Sequence, residues 1–274
     1  YAGFPDQRFE IARDGSFVFD QQGAFEWLNP GDTVIRGVSY LIQEQGAEGL
    51  TDRVACAGAG GADGMPVIFS HEVDIATLEP GDLRVTRASG AIGEVRCLTL
   101  APADDPGELR TALVAGAYGS PDDPPVSVEI VGNVLSRDNT VNFRGASVPV
   151  TPLEDGPTLV WAEIVPEAQW ALGKAATALP WGGGSGCPVG TVQAVRATWN
   201  GGVTKPRGGP ADDAERALYQ VEVMREDGQG STVTPLALAD TGDGDNNHLL
   251  CLDTVEPALS VSFPVGRLTD PRED

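Results

Sequence analysis

The chain has 274 residues, 41% of them hydrophobic, enough for two ordinary cores. No run approaches the roughly 18 apolar residues that a membrane-spanning helix requires, so membrane insertion is not expected. Forty acidic residues against 18 basic ones give a net charge of −22, a sign that repels phosphate backbones and excludes nucleic acid as an expected partner.

Reading along the chain, the first residue is Tyr1 rather than methionine, which predicts a secretory signal removed before it. The expected location is therefore secreted or periplasmic. Glycine (35) and proline (21) recur between short runs rich in Val, Thr, Leu and Ile. "SFVFD" (16–20) and "TVIRGVSYLI" (33–42) read as the first strands. "DLRVTRA" (82–88), "EVRCLTL" (94–100), "VSVEIVG" (126–132), "SVPVTPL" (147–153) and "TLVWAEIV" (158–165) follow. "TVQAVRATW" (191–199), "LYQVEVMRE" (218–226) and "LSVSFPV" (259–265) complete the series. In "VSVEIVG" Val126, Val128 and Ile130 alternate with Ser127 and Glu129, the period of two of a half-buried strand. Many short strands with turn residues between them predict an all-β protein, built as two sandwich-like antiparallel domains of Ig-like or jelly-roll-like type.

One short helix is expected within "PEAQWALGKAATALP" (166–180), where Ala168, Ala171, Leu172, Ala175, Ala176 and Leu179 share a face between two prolines. The glycine cluster "WGGGSGCP" (181–188) follows it. These features predict a first β domain over 1–165, a helix and linker over 166–186, and a second β domain over 187–274. Each half holds a Cys-Leu pair, in "RCLTL" (96–100) and "LCLDT" (250–254), a match too short to establish a repeat.

Four cysteines allow three pairings. The expected one joins Cys56 to Cys97 and Cys187 to Cys251, one bridge per half, in an oxidising compartment. Zinc is not expected, because there is no Cys-x-x-Cys and only two histidines.

Residues 70–119 contain "LEPGDLRVT", the hairpin "GAIGEVRCLTL" and the strand "ELRTALVAG". With the flanking strands, the stretch 68–131 resembles the bacterial Ig-like modules of surface and adhesin proteins. The resemblance implies a scaffold or binding unit more than an activity. The cysteines do not follow the antibody Cys…Trp…Cys pattern.

The candidate chemistry concentrates in "LADTGDGDNNHLLCLD" (238–253). Asp243, Asp245 and Asn247 alternate, with Asp240 before them, and supply oxygen donors of the kind calcium takes. The pattern is not an EF-hand, since His248 and Thr254 stand where that loop needs glycine and glutamate. The competing reading is a solvated Asp/Asn turn. A triad of Ser185, His248 and Asp253 or Asp240 has little support, because "GGSGC" departs from the Gly-x-Ser-x-Gly elbow at its last position. The acidic pairs in "ADDP" (103–106), "PDDPP" (121–125) and "ADDAE" (211–215) read as turns. Trp161, Trp170 and Trp181 surround the predicted junction, either as a seam or as a platform for a ligand such as a sugar. The function expected from these features is extracytoplasmic binding of a glycan or protein, braced by calcium. A carboxylate-dependent hydrolase acting on carbohydrate and a purely structural component are the alternatives.

Overall fold

The structure, a computed structural model, describes residues 7–11, 17–19, 35–38, 62–152, 156–170, 186–242 and 244–269, with side chains from residue 62 onward. The chain is all-β with antiparallel sheets, as the alternating runs predict. Its strands are β1 (Gln7–Ile11), β2 (Phe17–Phe19), β3 (Ile35–Val38), β4 (Asp63–Phe69), β5 (Leu83–Arg87), β6 (Ile92–Thr99), β7 (Thr111–Ala117), β8 (Pro125–Ile130), β9 (Ser147–Pro149), β10 (Leu159–Val165), β11 (Gln193–Trp199), β12 (Gln220–Met224), β13 (Gly230–Val233), β14 (Ala237–Ala239), β15 (Asn247–Leu252) and β16 (Ala258–Phe263). Among the described residues the single α-helix is α1 (Asp213–Arg216), capped by Asp212, whose carboxylate accepts from the Ala214 N–H. Of the helix expected at 166–180, residues 167–169 form a 3-10 turn, and 171–180 lie outside the described residues.

The chain divides into two compact units, one of residues 31–155 and one that joins residues 1–30 to 156–274. The 31–155 unit is one seven-stranded sheet in the order β3-β4-β7-β6-β5-β8-β9. Its strands alternate, so Met65, Val67 and Phe69 of β4, Val85 of β5, Val114 of β7 and Val128 and Ile130 of β8 enter one core. The connections add Val134, Val141 and Phe143, and the Phe143 ring meets Phe69 edge-on at 4.9 Å. Each such side chain taken out of water contributes about 1.5–3 kcal/mol. Where β7 passes β6 the register shifts between Val95 and Cys97. Gly116 sits there, and a Cβ at that position would collide with the Glu94 carbonyl oxygen, so glycine permits the close approach.

The second unit is a sandwich of two sheets. One has the order β13-β12-β16-β1-β2 and the other β10-β11-β15-β14. The N-terminal strand β1 pairs with the C-terminal β16, with Phe9 opposite Val261. Between the sheets lie Leu159, Val195, Ala197, Trp199, Tyr219, Val221, Val223, Leu250, Leu252, Val261 and Phe263. The opposite face of the β11–β15 pair is buried too, with Val165, Ala194, Leu249, Cys251 and Ala239 in a smaller cluster. Two-sided burial makes this four-stranded sheet the frame on which the acidic stretch is mounted.

Candidate functional site

The stretch at 238–253 is a turn that leads into a central strand. Ala239 ends β14, and Asp240 follows with φ of +60°, the left-handed region that Asp and Asn enter more readily than most residues. Gly244, at φ +77°, completes the reversal before β15 begins at Asn247. Asp243 lies outside the described residues.

Hydrogen bonds fasten this turn to the end of β11. Asp245 Oδ1 accepts from the Asn247 backbone N–H at 2.7 Å, and its Oδ2 accepts from the Asn247 side-chain amide at 2.9 Å. Asn247 Oδ1 in turn accepts from the Thr198 hydroxyl at 2.7 Å. The Asn246 side chain donates to the Trp199 carbonyl at 2.6 Å, and the Trp199 N–H donates to the Asn246 carbonyl at 2.8 Å. Asp240, Asp245, Asn246 and Asn247 are all buried. The side-chain oxygens of Asp245 and Asn247, expected as metal ligands, therefore already take protein donors.

Every residue of β15 is buried. Alternation sends His248, Leu250 and Leu252 toward the sandwich core, and Asn247, Leu249 and Cys251 to the other face. His248 Nδ1 lies 2.8 Å from the Tyr219 hydroxyl, which is 3.2 Å from Trp199 Nε1. Burial lowers the pKa of His248 from 6.5 to about 4, so the ring is neutral at physiological pH. Burial likewise raises Tyr219 far above the ordinary phenol range. Asp253 is exposed, and Ser185 lies outside the described residues. His248 thus meets a core tyrosine where the triad reading would place a serine.

The tryptophans take different places. Trp161 is buried in the sandwich core. Trp170 is half-buried, and its Nε1 donates to the Val165 carbonyl at 2.8 Å. Trp181 lies outside the described residues. Cys187 and Cys251 form a disulfide across 64 positions. Cys97 is also disulfide-bonded, and Cys56, its expected partner, lies outside the described residues.

Sequence reasoning overlooked several buried polar groups. In the 31–155 unit, Asp105 and Glu108 are fully buried, with carboxylate oxygens within 4.8 Å of each other. The turn that carries them is closed by the Glu108 N–H on the Asp105 carbonyl at 3.0 Å. Two buried carboxylates this close are hard oxygen donors able to hold a metal ion, and they do not specify which one. In the other unit, Arg196 and Glu163 stand opposite each other on β11 and β10 and form an ion pair at 2.8 Å. The Arg196 side chain is 1% exposed. Nothing in "ADDPGE" or "AVRAT" marks these residues as buried, since their composition is that of turns and edge strands. His71 is half-buried, with Nδ1 3.0 Å from Ser70 Oγ.

No helix among the described residues is long and apolar enough to cross a membrane. No family model, curated protein or solved structure matches the chain.

Proposed function

We propose that the chain acts outside the cytoplasm as a binding or recognition module, a disulfide-braced β protein that holds a glycan or protein partner rather than turning over a substrate. The observation that carries this reading is the placement of His248. It is neutral, sealed in the core and bonded to Tyr219, where it cannot reach the proton of an external substrate. The disulfide supports an oxidising compartment. The Ig-like pattern at 68–131 belongs to the same reading, supported by the antiparallel pairing of β5, β6, β7 and β8 around one core.

Calcium at the 240–247 turn is the finer part of the proposal. Its support is the density of buried oxygen donors at Asp240 and Asp245. To coordinate the ion, Asp245 has to release the two Asn247 donors it now holds.

Two measurements test the reading. Incubation with a panel of glycosides and esters is expected to give no turnover, while glycan and protein arrays yield a saturable partner. Turnover abolished by replacing one carboxylate with its amide, with the fold intact, would replace the binding reading with a carboxylate hydrolase. For calcium, a thermal melt in EDTA is compared with one in millimolar calcium. A ligand at about 100 times its Kd stabilises the native state by about 2.7 kcal/mol, and the shift must vanish in Asp243→Ala. No shift removes calcium from the proposal and leaves the binding reading in place.

A further inference from the structure

One end of the sandwich formed by residues 1–30 and 156–274 gathers exposed apolar side chains. Strand register brings its loops together. Val165 at the end of β10 stands opposite Ala194 near the start of β11, and Gln193 opposite Leu252 at the end of β15. Ala237, which begins β14, faces Cys251. In the other sheet, Met224 at the end of β12 donates its N–H to the Pro257 carbonyl just before β16. Among the described residues nine large hydrophobic side chains are exposed, and four of them stand on these loops. Val189 is fully exposed, Val255 81%, Val192 44% and Leu236 42%.

These loops are held in place. The Val192 N–H donates to the Leu252 carbonyl at 2.7 Å, and the Leu236 N–H to the Cys251 carbonyl at 2.8 Å. The Gln193 side chain donates to the carbonyls of Thr254 and Glu256, on either side of Val255, at 2.9 and 2.6 Å. Leu236 Cδ2 comes within 3.7 Å of the place a Cβ on Gly190 would occupy. The Cys187–Cys251 disulfide ties the segment before Val189 to β15. Aliphatic tips on a fixed frame lose little freedom when a partner covers them. Exposed hydrophobics scattered singly are ordinary, whereas a cluster rimmed by polar groups marks an interaction surface.

The rim gives the partner its sign. At this end Glu167, Glu226, Asp227 and Asp253 are exposed and Glu256 is half-buried, against one exposed cation, Arg225. Arg216 is taken up by the Asp213 carboxylate and the Pro235 carbonyl. Such a field, on a chain of net charge −22, repels anionic lipid, nucleic acid and a second copy of the chain. Aliphatic tips offer no flat ring to a sugar face. We infer, within the binding role proposed above and resting on it, that Val189, Val192, Leu236 and Val255 form the docking surface for a protein partner whose own apolar patch is ringed by lysine or arginine. Apolar contact supplies the affinity, and the acidic rim supplies the steering and the choice of partner.

The test uses fluorescently labelled peptides of alternating leucine and lysine, of serine and lysine, and of leucine and glutamate, titrated with the full chain and read by anisotropy. The leucine–lysine peptide is expected to bind saturably and at least about tenfold more tightly than either of the others. Val189→Ser combined with Val255→Ser keeps every charge and alters only exposed side chains, so the urea midpoint stays where it was. The double variant is expected to bind that peptide about tenfold more weakly. Val126→Ser, at an exposed valine of the 31–155 unit, leaves the affinity unchanged. Equal affinity of the wild type and the double variant overturns the surface, since net charge alone then holds the peptide, and so does a leucine–lysine peptide that does not bind. Phosphatidylcholine vesicles that bind the wild type but not the double variant, with no peptide bound, replace the protein partner with a lipid surface. The binding role and this surface fail separately. An array partner that holds the double variant as tightly as the wild type removes the surface and keeps the role, whereas arrays without any saturable partner, together with no peptide binding, remove both.

Discussion

Replacing Cys187 with serine tests what braces the unit that carries β10–β16. Cys251 is buried near the end of β15, clustered with Leu249 and Ala239, whereas Cys187 is half-buried in the segment before β11. Cys187→Ser therefore cuts the cross-link and leaves a thiol of nearly unchanged volume in the packed position, with little cavity to confuse the result. The bridge closes a loop of 64 positions that contains β11, α1, β12, β13 and β14. Chain entropy assigns such a loop about 4 kcal/mol, held in the unfolded state as lost freedom. Urea unfolding by tryptophan emission in a non-reducing buffer reads the change directly. With a slope of about 2 kcal/mol per molar urea, the midpoint falls by about 2 M. The slope itself should rise, because the unfolded chain without its bridge exposes more surface. A loss below about 1 kcal/mol with an unchanged slope would refute the entropic account, and the brace would then lie in the sheet hydrogen bonds and the two cores.

Two further substitutions probe the cores one at a time. Tyr219→Phe removes the hydroxyl that Trp199 Nε1 and His248 Nδ1 share, and stranding a buried donor is expected to cost about 1–3 kcal/mol in a urea melt at pH 7.5; a neutral result would mean that the hydroxyl does not mediate between them. Phe143→Ala empties the centre of the 31–155 core beside Phe69. Its expected cost is about 3–5 kcal/mol, read as a fall in the far-ultraviolet circular dichroism melt, and a loss under about 1 kcal/mol would show that the core closes over the gap.

Most strands were legible because one face of each meets water. "DLRVTRA", "VSVEIVG" and "LYQVEVMRE" alternate, and β5, β8 and β12 lie within them. The pairing of β1 with β16 was not legible, since it joins the two ends of the chain and no local pattern encodes a partner so far away in sequence. That pairing also explains why the compact units are not consecutive halves. Strands β1 and β2 continue the sheet beyond the C-terminal strand β16, whereas composition shows only where glycine and proline cluster.

The acidic turn and the strand after it show a different limit. "NHLLCL" lacks alternation because both of its faces are buried, and a strand covered on two sides reads as an unpatterned run. The preceding Asp and Asn residues are the same types that would bind calcium and that make Asx turns, since both tasks use short side chains with oxygen acceptors near the backbone. Only the partners separate the two. Asp245 holds both amide groups of Asn247, and Asn247 holds Thr198 from a strand almost fifty residues earlier in the chain. The same holds for His248, whose chemistry suits a base or a ligand until Tyr219 and Trp199 enclose it. In this stretch Asp245, Asn247 and His248 are all buried, and their polar atoms are spent on partners within the fold.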